Sequence, residues 1–429
     1  MHDKKAFLEL DGQRIELPVI VGSENEMAID VSSLRAKTGA ITFDPGFGNT
    51  GSCQSAITFI DGEKGILRHR GYDIAELAEK ASFVETAYLL IYGELPTISQ
   101  LTVFSKLLNR SSLIHEDMHH FFNGFPRTAH PMGILSTMVA SLSSFCPFGE
   151  VRNKDEELQV FANLISQVRT IAAFSYKKSI GEPIVYPSHK LKYVSNFLNM
   201  MFSSPVNDFE IDPDMVRAME IFFILHADHE QNCSTSSVRM VASSLANVYA
   251  AVSSGISALW GPLHGGANQQ VIQMLEEIHA SGATGDEYVN RAKNKDPNAR
   301  LMGFGHRVYK NYDPRAKILK KWCDKLINKP GMNDPLFDIA VRLEELALND
   351  EYFLKRNLFP NVDFYSGLIL RAVGIPYDMF TVMFTIGRIP GWLAHWREYR
   401  YGDAVRISRP RQIYTGANLR SFVAREERG

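Results

Sequence analysis

Two patterns of hydrophobic and polar positions follow one another along the chain. Over residues 1–75, apolar and polar side chains alternate in short runs such as FLELDGQRIEL, where Asp11-Gly12 predicts a hairpin turn. From about Ile74 the apolar residues recur at helical spacing, and Gly93 and Pro96 end the first such segment. The same spacing recurs at 98–124, 129–145, 155–178 and 211–226. The pattern predicts a mainly α protein with a small β-rich N-terminal module.

Breaks in the helical pattern suggest how the helices divide into domains. Glycine, proline and asparagine cluster near residue 265, and Gly374-Ile375-Pro376 forms a later break. These two breaks can act as hinges that enclose a smaller helical domain. We therefore predict a β-rich module (1–75), a large helical domain (76–265), a small helical domain (266–374) and a C-terminal return to the large domain (375–429). Alternating βαβ units are absent, which disfavours a doubly wound nucleotide-binding sheet.

Composition and charge leave an ordinary globular protein. The 429 residues are 45% hydrophobic and 22% charged, with a net charge of −2, so no general affinity for nucleic acid or anionic membranes is expected. The cysteines form no CxxC pair, which disfavours a structural zinc site and a secreted disulfide scaffold; they are Cys53, Cys146, Cys233 and Cys323. The N-terminus lacks a signal-peptide core, and the uncharged stretch 240–275 reads as tightly packed small-residue helices. We expect a cytoplasmic protein without a membrane span.

The first histidine cluster lies in LHADHEQN. His226 and His229 share one face of a helix, with Asp228 between them. Histidine and aspartate are both metal ligands, so a metal site is one interpretation. Histidines that meet the last carbonyls of a helix are the other.

Two further histidines follow helix-breaking glycines. His264 in LWGPLHGGANQ stands at a break where glycines permit the close approach of a ligand. His306 follows a Gly-x-Gly loop in LMGFGHRVYKNYDPRAK, which also holds four cations. Those cations suit carboxylates or phosphates, and the alternative is a solvated basic face; they are Arg307, Lys310, Arg315 and Lys317.

One acidic residue and two arginines complete the candidate chemistry. Asp363 lies between apolar and aromatic residues in FPNVDFYSG, so its carboxyl should be desolvated, with a raised pKa that suits a base. A capping aspartate is the alternative. Arg388 and Arg409 stand in apolar or proline-rich surroundings, where an arginine usually has an anionic partner.

Seven segments together resemble the citrate synthase family. They are FDPGF, ITFIDGEKGILRHRGYDI, LHADHEQN, WGPLHGGAN, GFGHRVYKNYDPR, PNVDFYSG and RPRQIYTG, in the family order over nearly the whole chain. The resemblance implies a two-domain helical fold and the condensation of acetyl-CoA, oxaloacetate and water to citrate and CoA, the first step of the tricarboxylic acid cycle. The β-rich front and the chain length resemble the longer, Gram-negative bacterial branch.

The resemblance also implies a role for each candidate residue. Asp363 would remove a proton from the acetyl-CoA methyl group, His264 would donate a hydrogen bond to the thioester oxygen, and His306 would bind the ketone oxygen of oxaloacetate. Residues implied to bind oxaloacetate or citrate are His229, Arg315, Arg388 and Arg409. Residues implied to bind CoA are Leu301, Met302, Gly303, Phe304, Gly305 and Lys310.

The family pattern further implies the assembly and its regulation. Arg409 would reach in from the neighbouring subunit, so a homodimer is the smallest active unit, and a hexamer built as a trimer of dimers is left open. No metal and no cofactor are implied, because the CoA thioester is a substrate. The hexameric branch binds NADH through a basic pocket. Arg110 is retained here, but Asn163, Gln167 and Cys146 depart from that pattern, so weak or absent NADH inhibition is expected.

Three other functions are weighed against this one. A 2-methylcitrate synthase, using propionyl-CoA, would share the acid-base residues. A metallohydrolase could be built on His226, His229, His264 and Asp363. A non-catalytic helical interaction protein would not need the intact set of Asp363, the two histidines and the three arginines.

Overall fold

The N-terminal part of the chain forms two small antiparallel sheets. The computed structural model describes residues 4–146, 151, 153–297, 299–305, 308–309, 312–402 and 405–428. The strands of these residues are β1 (Lys5–Leu10), β2 (Gln13–Val21), β3 (Met27–Ile29), β4 (Thr58–Asp61), β5 (Ile66–His69) and β6 (Tyr72–Asp73). They pair in the orders β1-β2-β3 and β4-β5-β6. Asp11 and Gly12, with φ of 51° and 76°, make the two-residue turn of the first hairpin, as predicted.

Helices make up most of the remaining chain. In the first half the described helices are α1 (Leu34–Thr38), α2 (Ile74–Lys80), α3 (Phe83–Tyr92), α4 (Ile98–Arg110), α5 (His119–Gly124), α6 (Pro131–Phe145), α7 (Lys154–Ile180), α8 (Tyr193–Phe202) and α9 (Pro213–Leu225). In the second half they are α10 (Cys233–Ala242), α11 (Val248–Leu259), α12 (Ala267–Ser281), α13 (Gly285–Lys293), α14 (Pro314–Ile327), α15 (Pro335–Asn349), α16 (Glu351–Leu354), α17 (Val362–Val373) and α18 (Phe380–Arg400).

The chain divides into two compact units. One comprises Met1–Gln54 and Ser408–Gly429, and it holds β1 to β3, α1 and a small core of Ile15, Leu17 and Leu34. The other comprises Ser55–Ile407 and holds the second sheet, the helices α2 to α18 and the main hydrophobic core. The predicted mainly α fold with a small β-rich N-terminal module is confirmed. The predicted domain boundaries within the helical part stay a prediction.

Local sequence signals fix many helix ends. Ser82 caps α3 in a capping box with Glu85, which satisfies two backbone N–H groups that the first turn leaves open. At the other end Gly93 takes a φ of 94° and ends the helix where the sequence predicts it. The uncharged stretch 240–275 is divided among α10, α11 and α12. No helix of the described residues combines the length and the apolar character that crossing a bilayer requires.

Helix α18 runs through the main core and lies very close to the segment that follows α9. Its residues from Phe380 to Trp396 are buried, and it packs on α3, α7, α9, α10 and α11. A Cβ at Gly391 would overlap the carbonyl oxygen of Ala227 and lie 2.6 Å from Asp228 Oδ1. Only glycine permits this approach, which brings Arg388 of α18 beside the LHADHEQN segment.

Candidate active site

Asp363 lies in the first turn of α17. Asn361 caps this helix, and its side-chain oxygen accepts hydrogen bonds from the N–H groups of Asp363 and Phe364 at 2.9 and 3.4 Å. The alternative in which Asp363 is itself the cap is therefore wrong. Burial raises the pKa of the Asp363 carboxyl to about 6, opposed by the positive charges of Arg315 and Arg388. The apolar neighbours in the sequence predict this direction.

His264 lies in the turn between α11 and α12. Its Nε2 accepts a hydrogen bond from the backbone N–H of Ser234 at 3.1 Å and lies 2.8 Å from the Ser234 hydroxyl. A backbone N–H can only donate, so the proton of the neutral ring is on Nδ1. Burial and the charge of Arg388 lower the pKa of His264 to about 4. The ring is thus neutral at pH 7, with one N–H to donate.

Arg388 is electrostatically coupled to the other candidate residues. It is buried in α18, and its Nε donates to the carbonyl oxygen of His226 at 2.6 Å. Burial lowers its pKa to about 10, while the negative charges of Asp228 and Asp363 oppose that shift. The guanidinium remains protonated at pH 7 and contributes a positive charge to the surroundings of both Asp363 and His264.

Arg315 is held by a residue that the sequence analysis did not select. Asp313 caps α14 and accepts from Arg315 Nε and NH2 at 3.1 and 2.9 Å, with both side chains buried. Burial acts to lower the pKa of Arg315, but the charge of Asp313 outweighs it and raises that pKa. The Asp-Pro pair at the start of a helix was the available sequence signal for this cap.

His229 is linked to Arg315 through a buried tyrosine. Tyr309 is 3% exposed, and its hydroxyl lies 3.3 Å from His229 Nε2. The Arg315 guanidinium lies 5.7 Å from the centre of the Tyr309 ring, on its face. Nothing in the local sequence singles out Tyr309, because its role depends on contacts with residues distant in the chain.

Asp228 of the LHADHEQN segment pairs with His395 of α18 in the protein interior. His226 ends α9, and its Nδ1 lies 2.6 Å from the carbonyl oxygen of Phe222, which is the helix-end interpretation. Asp228 Oδ1 lies 3.2 Å from His395 Nε2, and both residues are fully buried. Burial raises the pKa of Asp228, but its interactions with His395, His69 and Arg388 outweigh burial and lower that pKa to about 2. Among the residues described, no three histidine, cysteine, aspartate or glutamate side chains are arranged to hold a metal ion.

The candidate CoA-binding residues 301–305 form a segment that we call the glycine loop. Gly303 and Gly305 have φ of 80° and 76°, a conformation that side chains disfavour. The loop is fastened to residues 359–361, because Gly305 N–H donates to Phe359 O and Asn361 N–H donates to Gly303 O, both at 2.9 Å. The loop therefore lies directly beside the start of α17.

His306, Arg307 and Lys310 lie outside the described residues. Arg409 is exposed and belongs to the compact unit that contains Ser408–Gly429.

Four of the predicted residues are nevertheless coupled to one another. Arg315 and Arg388 both shift the pKa of Asp363, and Arg388 also shifts that of His264. Residues that the sequence analysis missed are Ser234, Tyr309, Asp313, Asn361 and His395. Taken together, a neutral histidine donor, a weakly basic carboxylate and two guanidinium groups suit proton removal and the binding of a dicarboxylate.

A family model and full-length relatives match this chain. The model described as citrate synthase, C-terminal domain, matches residues 46–411. Citrate synthase 1 of Mycobacterium tuberculosis is 52% identical over 428 residues, which cover 99% of each chain. The citrate synthase of Corynebacterium glutamicum is 50% identical over 430 residues, covering 99% of this chain and 98% of that one. These names do not specify a Gram-negative branch, which stays a prediction.

Solved structures of citrate synthases share the fold. The enzyme of Pyrobaculum aerophilum matches with a TM-score of 0.81 and 37% identity, covering 91% of this chain and 98% of that chain. The enzyme of Thermoplasma acidophilum, in a ternary complex with carboxymethyl coenzyme A and oxaloacetate, matches with a TM-score of 0.80 and 31% identity, covering 89% and 98%. Fold, motifs and full-length similarity thus agree, and the chain belongs to the citrate synthase family of acyltransferases.

Proposed function

We propose that this chain condenses acetyl-CoA with oxaloacetate and that Asp363 is the base. The observation that carries the proposal is the partly buried Asp363 carboxyl, whose pKa is raised by desolvation to about 6 although two guanidinium groups oppose the shift. A base whose pKa lies near the working pH is efficient in proton transfer. The substrate pair is supported by the similar Thermoplasma acidophilum structure, which is a complex with carboxymethyl coenzyme A and oxaloacetate.

The reaction proceeds in three bond changes. The Asp363 carboxylate takes a proton from the acetyl-CoA methyl group, and the electron pair of that C–H bond forms an enolate. The enolate carbon attacks the ketone carbon of oxaloacetate, and the ketone oxygen takes up a proton as it becomes a hydroxyl. Water then cleaves the thioester of citryl-CoA and CoA leaves as the thiol. We assign the hydrogen bond to the ketone oxygen to His306 on the family resemblance alone.

His264 stabilises the enolate oxygen. Its Nδ1–H is the only donor of a ring whose Nε2 is already occupied by the Ser234 N–H. The ring stays neutral because burial and Arg388 lower its pKa to about 4. A preorganised donor of this kind strengthens as negative charge develops on the oxygen.

The two carboxylates of oxaloacetate are bound by arginines. Arg315 and Arg388 are buried and charged, with His229 adjoining Arg315 through Tyr309. Asp313 accepts from Nε and from NH2 of Arg315, and NH1 and the second N–H of NH2 are the donors that we assign to a substrate carboxylate. Planar guanidinium groups bind carboxylates with well-defined geometry.

A second copy of the chain supplies Arg409. The C-terminal segment 405–428 is exposed along its described length and has no strand or α-helix. Several large apolar side chains of the segment are exposed, and exposed apolar surface of this kind commonly marks an interaction site; they are Ile407, Tyr414, Leu419 and Phe422. A homodimer in which this segment lies on the partner would cover them.

The expectations about CoA binding, cofactors, cellular location and NADH inhibition rest mainly on the sequence. The glycine loop and Lys310 would bind CoA, no further cofactor would take part, and the location would be cytoplasmic. The contacts of Asn163 and Gln167, which differ from the NADH-binding pattern, support the expectation of weak NADH inhibition. Asn163 Oδ1 accepts from Gln159 at 2.8 Å, and Gln167 Nε2 donates to Leu113 O at 2.9 Å. Neither side chain offers the positive charge that a phosphate requires.

The acyl group is tested by comparing acetyl-CoA with propionyl-CoA in a thiol-release assay with oxaloacetate. We expect kcat/KM to be higher for acetyl-CoA by roughly 10–200-fold, the usual discrimination for one methylene group. Thiol release without oxaloacetate is the control for simple thioester hydrolysis. A ratio near one, or in favour of propionyl-CoA, would support 2-methylcitrate synthase instead.

The dependence of activity on pH follows from Asp363. Its pKa is raised, so the carboxyl gains its proton as the pH falls through about 6, and a protonated carboxyl cannot act as base. His264 stays neutral over this range because its pKa is lowered to about 4. We expect kcat/KM for acetyl-CoA to fall about tenfold per pH unit below this midpoint. A pH profile of kcat/KM that stays flat down to pH 5 would contradict this assignment. Activity recovered at pH 8 after each incubation shows that the protein was not denatured at the lower pH.

A further inference from the structure

Asn361 connects the glycine loop with the helix that carries Asp363. Its backbone N–H donates to Gly303 O at 2.9 Å, and its side-chain Nδ2 donates to Gly305 O at 2.6 Å. The oxygen of the same amide accepts from the N–H groups of Asp363 and Phe364. Asn361 as a whole is 9% exposed. One planar amide group is thus held from both sides.

The loop and the first turn of α17 are also packed directly on each other. A Cβ at Gly303 would lie 3.0 Å from the Cβ and 3.1 Å from the Cα of Phe364, the residue after the proposed base. The Phe304 ring centre lies 5.1 Å from that of Phe364, and Phe304 forms a backbone bridge with Pro360. A displacement of the loop cannot be absorbed by an intervening side chain, so it reaches the start of α17.

We propose that Asn361 is a positioning residue that couples binding of the CoA thioester at the glycine loop to the orientation of the Asp363 carboxylate. This inference rests on the proposed function. The amide fixes the loop carbonyl of Gly305 through Nδ2 and the first turn of α17 through Oδ1. Since the amide is planar, turning it toward one partner moves it away from the other. A loop held by bound CoA therefore holds the carboxylate in line with the substrate methyl group.

A helix cap alone would not need asparagine. Serine and aspartate accept the same N–H hydrogen bonds and are equally common at this position. The feature that only the amide supplies is the Nδ2 donor to Gly305. Asn361→Ser keeps a short cap acceptor and removes this donor, without adding charge near Asp363.

The chain offers a matched control in Asn153. This residue caps α7, and its Oδ1 accepts from the N–H groups of Asp155 and Glu156 at 3.1 and 2.9 Å, the same double pattern as Asn361. Both hydrogen bonds described for its side chain stay within its own helix. Asn153→Ser therefore reports the cost of weakening a cap without touching the glycine loop.

The test measures kcat, KM for acetyl-CoA, the Kd of oxaloacetate and the Tm for both variants of the full chain. We expect Asn361→Ser to lower kcat/KM for acetyl-CoA by roughly 10–100-fold, with a fall in kcat as well as a rise in KM, because small misplacements of reacting groups have effects of this size. The Kd of oxaloacetate should stay within about twofold, which shows that the variant is folded. The Tm should fall further than in Asn153→Ser, because Asn361→Ser also loses the hydrogen bond to Gly305 O. An Asn361→Ser variant with the kcat and KM of Asn153→Ser would overturn the inference.

A second variant, Asn361→Asp, tests the same coupling if Asn361→Ser does not fold. Asn361→Asp retains the cap acceptor and loses the donor, so it should also lower kcat/KM for acetyl-CoA at least tenfold. Its carboxylate lies near Asp363, so the midpoint of the pH profile should shift upward. Wild-type kcat/KM in this variant would contradict the coupling. Failure of the proposed function would give a different result. In that case Asp363→Asn would release thiol as fast as the wild type, whatever the effect of changing Asn361.

Discussion

Replacing Asp363 with asparagine should lower kcat by roughly 10²–10⁴-fold, the range that a positioned acid or base commonly contributes. The amide has nearly the shape of the carboxyl but cannot accept a proton from the acetyl-CoA methyl group. The variant should still bind oxaloacetate, because that substrate is assigned to Arg315, Arg388 and His229. The measurement is thiol release under saturating substrates, together with the Kd of oxaloacetate.

The stability of this variant separates loss of chemistry from loss of fold. The pKa of Asp363 is raised from 3.8 to about 6, so the folded protein binds a proton more tightly than the unfolded chain does. Above pH 6 the partly desolvated negative charge of Asp363 therefore destabilises the folded state, and a neutral amide removes this cost. We expect the Tm of Asp363→Asn at pH 8 to equal or exceed that of the wild type.

A matched control is available in another first helical turn. Asp338 lies in the first turn of α15 and is exposed, so Asp338→Asn should change neither kcat nor Tm appreciably. If Asp363→Asn retained kcat within tenfold of the wild type, Asp363 would not be the base.

Replacing His264 with alanine is expected to lower kcat by roughly 10²–10³-fold, the usual effect of removing one donor from an oxyanion site. The hydrogen bond of Ser234 to Nε2 leaves Nδ1–H as the donor toward substrate. Asparagine can place an N–H close to the position of Nδ1, so His264→Asn should lose less activity than His264→Ala. The measurement is the ratio of kcat values for the two variants, with oxaloacetate binding as the check on folding.

The control and the refuting result for His264 are equally direct. His279 lies exposed in the last turn of α12, so His279→Ala should behave as the wild type. Equal losses of kcat in His264→Ala and His264→Asn would contradict the donor role, because they would show that an N–H at this position restores no activity.

Local patterns predict the elements of this fold well. The Asp11-Gly12 hairpin and the end of α3 at Gly93 depend on backbone conformations that a few neighbouring residues determine. The candidate residues His264 and Asp363 stand out because glycine breaks and apolar neighbours are visible in a short window. The expected desolvation of Asp363 needs nothing beyond that window.

Partners distant in the chain are what the sequence does not reveal. Ser234 and His264 are 30 residues apart, and the contact depends on how α10 packs beside the turn before α12. The amide of Asn361 reaches Gly305, 56 residues away, by the same kind of tertiary contact. Nothing in the period of hydrophobic residues encodes such a pair, so the groups that orient the reacting side chains emerge only with the fold.

Because Gly391 has no side chain, the main chain of α18 near Arg388 lies directly against the main chain of Ala227. Side chains can swing to relieve a misfit, but backbones in contact cannot. The packed helix therefore holds the base of the guanidinium in place, and its terminal nitrogens are the groups that we propose to bind a substrate carboxylate. If Arg388 binds oxaloacetate as proposed, the absence of one methyl group at Gly391 determines the position of the bound carboxylate.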